Sequence, residues 1–123
     1  MPAVRNEFVA YVLELMAGWA AVSARRMFGG HGLYRDGSMF ALIVADELFL
    51  KADADNVAQF ERAGSHPFVY RSKTRTVQMS YWSAPETSLE SPGEMGIWCR
   101  SAYGAALRAQ AVKAAKSGKG KRV

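Results

Sequence analysis

Apolar residues near the amino terminus recur at helical spacing. Val4, Phe8, Tyr11, Val12, Leu15, Met16 and Trp19 form one stripe, with Arg5, Glu7 and Glu14 largely off it. This predicts a first helix that ends near Gly18, with one wide face to bury. From Ala24 the period shortens towards two. Ala24 to Phe28 reads as a short strand interrupted at Gly29-Gly30 and resumed from His31 to Arg35. Asp36-Gly37 is a hairpin signal, because both central residues of a type I′ turn need positive φ. Ser38 to Val44 is the most apolar strand and suits the middle of a sheet. After the turn at Ala45-Asp46, Leu48 and Leu50 point one way along Glu47 to Ala52, and Glu47, Phe49 and Lys51 the other. Arg25 to Ala52 is thus a meander of three antiparallel strands, the block around which the chain is organised.

Asp53 is the expected N-cap of a short second helix with Gly64 as its stop. Ser65-His66-Pro67 then turns the chain to extended structure. Phe68 to Tyr70 and Thr76 to Trp82 read as two further strands, with Val77, Met79 and Tyr81 on one face and Gln78, Ser80 and Trp82 on the other. Ser91-Pro92-Gly93-Glu94 has the form of a capping box and predicts a last helix from Pro92 to about Ala115. Met95, Trp98, Ala102, Ala105, Ala106 and Ala109 supply its packed face. The expected fold is α+β, in the order helix, three strands, helix, two strands, helix, with a mainly antiparallel sheet covered by helices. Residues 1–112 read as a single domain and residues 113–123 as a basic, disordered tail.

Charge changes the picture only at that tail. The chain has 16 Lys and Arg against 11 Asp and Glu. Lys113, Lys116, Lys119, Lys121 and Arg122 all fall in the tail, and what precedes them is formally neutral. The longest apolar run, Met39 to Ala45, is far short of the roughly 20 residues of a membrane helix. Glu7 and Glu14 within the first apolar stretch do not fit a signal peptide, so a cytoplasmic protein without membrane contact is expected.

Little in the chain has the form of catalytic chemistry. Cys99 is the sole cysteine and reads as a packed, small hydrophobic residue rather than a nucleophile. His31 and His66 are the only histidines, and with Cys99 they offer no zinc spacing. Gly29-Gly30-His31-Gly32 lacks the lysine, hydroxyl residue and following helix of a phosphate loop, and fits a bulge or close backbone approach. No cofactor or metal is implied. Two groups of cations remain as candidate macromolecule contacts: Arg25 and Arg26, and the loop Arg71, Lys73 and Arg75, which lies beside Tyr70, Tyr81 and Trp82.

Two stretches carry a family resemblance. RRMFGGHGLYRDGSMFALIVADELFLKAD resembles the opening motif of the TfoX (Sxy) N-terminal domain family, and PFVYRSKTRTVQMSYWSAP resembles a later part of it, at Pro67, Phe68, Tyr70, Met79, Tyr81, Trp82 and Pro85. The resemblance implies a compact α-β(3)-α-β(2)-α fold and offers no catalytic residues. Its namesakes are bacterial regulators of DNA competence that carry a second, C-terminal helical domain, and this chain reads as a stand-alone N-terminal domain. The expectation is a non-enzymatic regulatory or adaptor domain that works through contacts with a protein partner or as a homodimer. The alternative is a nucleic-acid-associated factor that binds weakly through the basic tail and the Arg71 to Arg75 loop.

Overall fold

The computed structural model describes residues 2–27 and 29–121, with side chains placed for residues 7–27 and 29–116. The elements are α1 (Pro2–Ala17), β1 (Ser23–Met27), β2 (Gly30–Arg35), β3 (Ser38–Val44), β4 (Glu47–Lys51), α2 (Val57–Arg62), β5 (Pro67–Arg71), β6 (Thr76–Ser83) and α3 (Pro92–Lys121). A 3-10 turn at Glu86–Leu89 precedes α3. The strands form one antiparallel sheet in the order β1-β2-β3-β4-β6-β5.

The α+β class stands, and the strand count is corrected from five to six. The stretch expected as one strand broken by glycines is a hairpin: the chain reverses between Met27 and Gly30, which are paired, with Gly29 at φ +76°. Alternation alone reads the same on either side of a reversal, which is why the pattern missed the turn. Gly30 is required by its neighbour strand, since a Cβ there would lie 2.2 Å from the Ile43 carbonyl oxygen. A Cβ on Gly32 would meet instead the flexible ends of Met27 and Met39, at 2.6 and 2.8 Å.

The next two turns have left-handed backbone at both central positions, Asp36-Gly37 as expected and Ala45-Asp46 without any glycine. A bulge between Leu33 and Tyr34 in the β2–β3 ladder lets both Phe40 and Ala41 join the inner core.

All three helices lie on one face of the sheet. The main core joins Val9, Val12, Leu15 and Met16 of α1, Phe60 of α2, and Met95, Cys99, Ala102 and Ala106 of α3 to Leu33, Phe40, Ile43, Leu48 and Leu50. The apolar face of α1 is rotated from the predicted stripe: Val9 is buried, and Tyr11 sits at the rim, where its hydroxyl donates to the Leu89 carbonyl. Val4 lies outside the residues with described side chains. Trp19, Phe40 and Tyr103 meet edge to face at centroid distances of 5.4 to 6.1 Å, and the Arg35 guanidinium lies over Trp19 and Tyr103 at 4.7 and 4.8 Å.

The sequence announces the start of α3 and the end of α2 correctly. Ser91 Oγ accepts the Glu94 amide at 3.2 Å, so α3 begins as predicted. It runs to Lys121, past the stop expected near Ala115 and through residues whose composition reads as coil. α2 starts later than expected, at Val57, because Asp53 Oδ1 accepts the Asp55 and Asn56 amides and closes a turn ahead of the helix. Its end is a Schellman motif: Ser65 N–H bonds the Phe60 carbonyl, Gly64 N–H bonds that of Glu61, and Gly64 has φ +81°.

Asn56 joins three elements at this point. Only 4% exposed, it accepts the Asp53 amide at Oδ1 (2.7 Å) and donates from Nδ2 to the Lys51 carbonyl and to Ser101 of α3. Beside it Arg108 of α3 donates to both carboxylate oxygens of Asp53, at 2.7 and 3.1 Å.

Two measurements check this account. Gly30→Ala puts a methyl group against backbone and should destabilise the chain by about 1–3 kcal/mol in urea unfolding. Gly32→Ala, which meets only movable side chains, should cost less. The Arg108 guanidinium holds the Asp53 carboxyl below its ordinary value of 3.8. The pair's contribution is therefore complete above that value and fades as pH falls through the folded value. Asp53→Asn should lower stability at neutral pH by at most about 1 kcal/mol, because solvent screens the pair. The difference from the parent chain should close as pH falls below 3.8.

Candidate functional site

The helix-free face of the sheet is the largest feature left over by the core. Strand alternation sends Arg25, Gly32, Tyr34, Met39, Leu42, Val44, Phe49 and Tyr81 away from the helices. Leu42, Phe49 and Tyr81 are nonetheless buried, packed with Met39, Val44 and Phe68 in a second cluster built from strand residues alone. Long side chains provide the shelter. Arg25 lies 4.9 Å over the Tyr34 ring, Lys51 Nζ lies 5.0 Å from the Tyr81 ring, and Phe49 meets Phe68 at 4.9 Å. Burial pushes the Tyr81 hydroxyl up to about 12 and lowers Lys51, whose ammonium donates to Ser80 Oγ at 2.8 Å.

The second feature is the hairpin of β5 and β6. Ser72 N–H bonds the Arg75 carbonyl at 2.9 Å, and Ser72 Oγ accepts the Thr74 and Arg75 amides, which closes the turn. Arg71, Lys73 and Arg75 stand exposed around it. None of them pairs with a carboxylate among the described residues. No Asp or Glu occurs between Ala63 and Pro85. Tyr70 and Met79 on this hairpin are 49% and 36% exposed.

The candidate cations do not form one patch. Arg25 and Arg26 are exposed on β1, at the opposite edge of the sheet from β5. Lys113 and Lys116 are exposed on α3, and Lys119 and Lys121 follow on its backbone. Arg122 lies outside the described residues.

One constellation escaped the sequence reading. His66 Nδ1 is 3.3 Å from Ser83 Oγ, and its Nε2 is 3.3 Å from Glu47 Oε2. These residues are seventeen and nineteen positions apart along the chain, and only the β4–β6–β5 pairing brings them together. The group resembles a serine triad in composition. Ser83 is only 6% exposed, however, and its Oγ already accepts the His66 amide at 3.0 Å, so the hydroxyl has no open line to an incoming carbonyl. The arrangement pins the start of β5 to β6 and β4.

Cys99 is fully buried, as expected, and its surroundings push the thiol up to about 12. His31 takes part in the β1–β2–β3 ladder, and no group of three metal-ligating side chains occurs among the described residues. A shallow cleft of about 210 Å³ between the β2–β3 turn and α3 is lined by Ser38, Met39, Lys51, Gln110 and small residues. It is smaller than the pockets of roughly 300–1,000 Å³ that hold small ligands. No helix of the described residues is long and apolar enough to cross a membrane.

The chain is 30% identical over 71 residues to "DNA transformation protein TfoX1" of Aliivibrio fischeri, a match that takes in 58% of this chain and 34% of that protein. The chain thus matches about a third of the length of this relative. The family model described as the TfoX N-terminal domain matches residues 14–106, which run from the last turn of α1 through all six strands into α3. The chain belongs to the TfoX N-terminal domain family.

Proposed function

We propose that this chain is a regulatory domain that acts by holding a protein partner, in the process named for its relative, DNA transformation. The observation that carries the reading is the second cluster on the helix-free face, built by strands alone. Its margin is made of Met27, Tyr34, Met39, Val44 and Phe68, each partly exposed, with Arg25 stacked on Tyr34. Methionine, aromatic residues and arginine are the types enriched where proteins meet. Flexible methionines can fit a surface without a preformed pocket. The groups that would serve turnover are otherwise engaged: the Cys99 thiol is buried and protonated, and Ser83 Oγ is closed in by its own strand neighbours.

Two experiments test this reading. The first is a chimera of the Aliivibrio relative in which this chain replaces the matching segment; it should support transformation of a strain lacking the parent protein. In that chimera Met39→Gln with Val44→Thr should reduce transformation about tenfold or more, the effect of ~1.4 kcal/mol of lost contact energy, with circular dichroism unchanged. Transformation at the unmodified level would exclude the face. The second concerns the thiol. Iodoacetamide at mildly alkaline pH should leave Cys99 unmodified in the folded chain and alkylate it once urea is added, as followed by mass spectrometry. Rapid modification of the folded chain would reopen a nucleophilic role.

A further inference from the structure

Two basic segments leave the sheet at the same end. Lys51 of β4 pairs with Tyr81, and the Ala52 amide makes the next bond to the Ser80 carbonyl at 3.0 Å. From Met79 back to Thr76, β6 has β5 as its neighbour and runs on past the end of β4. The hairpin is therefore a two-stranded ribbon. At ~3.3 Å per residue its tip stands roughly 15 Å beyond the sheet. α3 reaches the same end. Arg108 bonds Asp53, just after β4, and Gln110 accepts the Ser38 hydroxyl at 2.7 Å, where β3 begins. Past Gln110 the helix continues to Lys121, at ~1.5 Å per residue another 15 Å or so.

Both projections are cationic without compensation. The ribbon carries Arg71, Lys73 and Arg75, and the helix carries Lys113 and Lys116 exposed, with Lys119 and Lys121 after them. No Asp or Glu follows Glu94 in α3. The carboxylates at this end are already engaged: Asp53 and Asp55 by Arg108, and Asp36 near Arg35 at 3.8 Å. A partner for such a surface must present negative charge over tens of ångströms, as a phosphate backbone does.

We propose that this end of the molecule binds duplex nucleic acid through its phosphates, with the β5–β6 ribbon in the major groove and the basic end of α3 on the flanking backbone. A major groove about 12 Å wide admits a two-stranded ribbon. Single strands are bound differently, by stacking bases on open aromatic rings. Here Tyr81 and Phe49 are buried in the outer-face cluster, and Tyr70 is the only aromatic residue of the ribbon left broadly exposed. Binding should depend little on sequence, because contacts to phosphates position a protein on the duplex without reading its bases.

The test is fluorescence anisotropy of the full chain with a labelled duplex of about 20 base pairs between about 50 and 200 mM salt. Affinity should fall steeply with salt. Each phosphate contact contributes about 0.9 to the log–log slope. Arg71→Ala/Lys73→Ala/Arg75→Ala should therefore flatten the slope by up to about 2.7, and Lys113→Ala/Lys116→Ala by up to about 1.8. All five positions are exposed, and unchanged circular dichroism checks the fold. Arg62→Ala/Arg100→Ala, which removes exposed charge from other parts of the helices, should leave the slope as it was. An unchanged slope in the ribbon variant would overturn the proposal. So would an equal loss in the Arg62/Arg100 control, or tighter binding to a single strand of the same length. The measurement uses no transformation readout, so it stands or falls apart from the protein-partner reading.

Discussion

The Asn56 carboxamide is the contact on which the arrangement of this domain most depends. It is buried, and it satisfies the carbonyl at the end of β4, the amide of Asp53 and two groups of Ser101 at once. A buried amide with few alternative partners is costly to leave unpaired, so the cost of misplacing α3 falls directly on this residue. Arg108 repeats the constraint two turns further along α3, on the rim, where solvent weakens it. Together they set the direction of α3 across the sheet. That direction decides where the carboxyl-terminal lysines leave the molecule relative to the β5–β6 ribbon.

Much of this was legible in the residues. Period-two alternation put Leu48 and Leu50 on one face and Phe49 on the other, and set Tyr81 apart from Trp82, as the two clusters have them; a one-residue slip would have turned Leu48 and Leu50 away from the core. Ser91 and Glu94 announced the start of α3, and Gly64 the end of α2, since those positions need a side-chain acceptor or a positive φ that few residues provide. The reversal between Met27 and Gly30 was not legible. The glycines fit a bulge as well as a reversal, and the deciding fact is the antiparallel pairing of β1 with β2, which closes on Met27 and Gly30. The His66–Ser83–Glu47 contact was hidden for a related reason: the β4–β6 pairing skips over β5, and no local pattern encodes a crossover.

The candidate cations show the limit of reading charge along a line. Along the chain Arg25 and Arg26 read together with Arg71 to Arg75, yet four strands lie between β1 and β5. By composition Lys113 and Lys116 belong to a separate tail, yet α3 brings them to the end of the sheet where the ribbon projects. What the molecule joins is decided by pairing order and helix direction. The two outward surfaces also differ in kind. The helix-free face is apolar and roofed by its own long side chains, and the ribbon is cationic and bare.

The sheet is open, so β1 and β5 each have one edge without a strand beside it. Such edges offer a row of free amides and carbonyls to any other extended chain, and proteins that leave them bare tend to stack into aggregates. Here β1 carries Arg25 and Arg26 side by side in a five-residue strand, and β5 opens with Pro67, which has no amide to give, and closes with Arg71. A strand arriving at either margin would have to strip water from guanidinium groups or forgo a ladder bond. The arginines of β1, remote from the β5–β6 ribbon, thus have work of another sort: they help to keep a six-stranded sheet from acquiring a seventh.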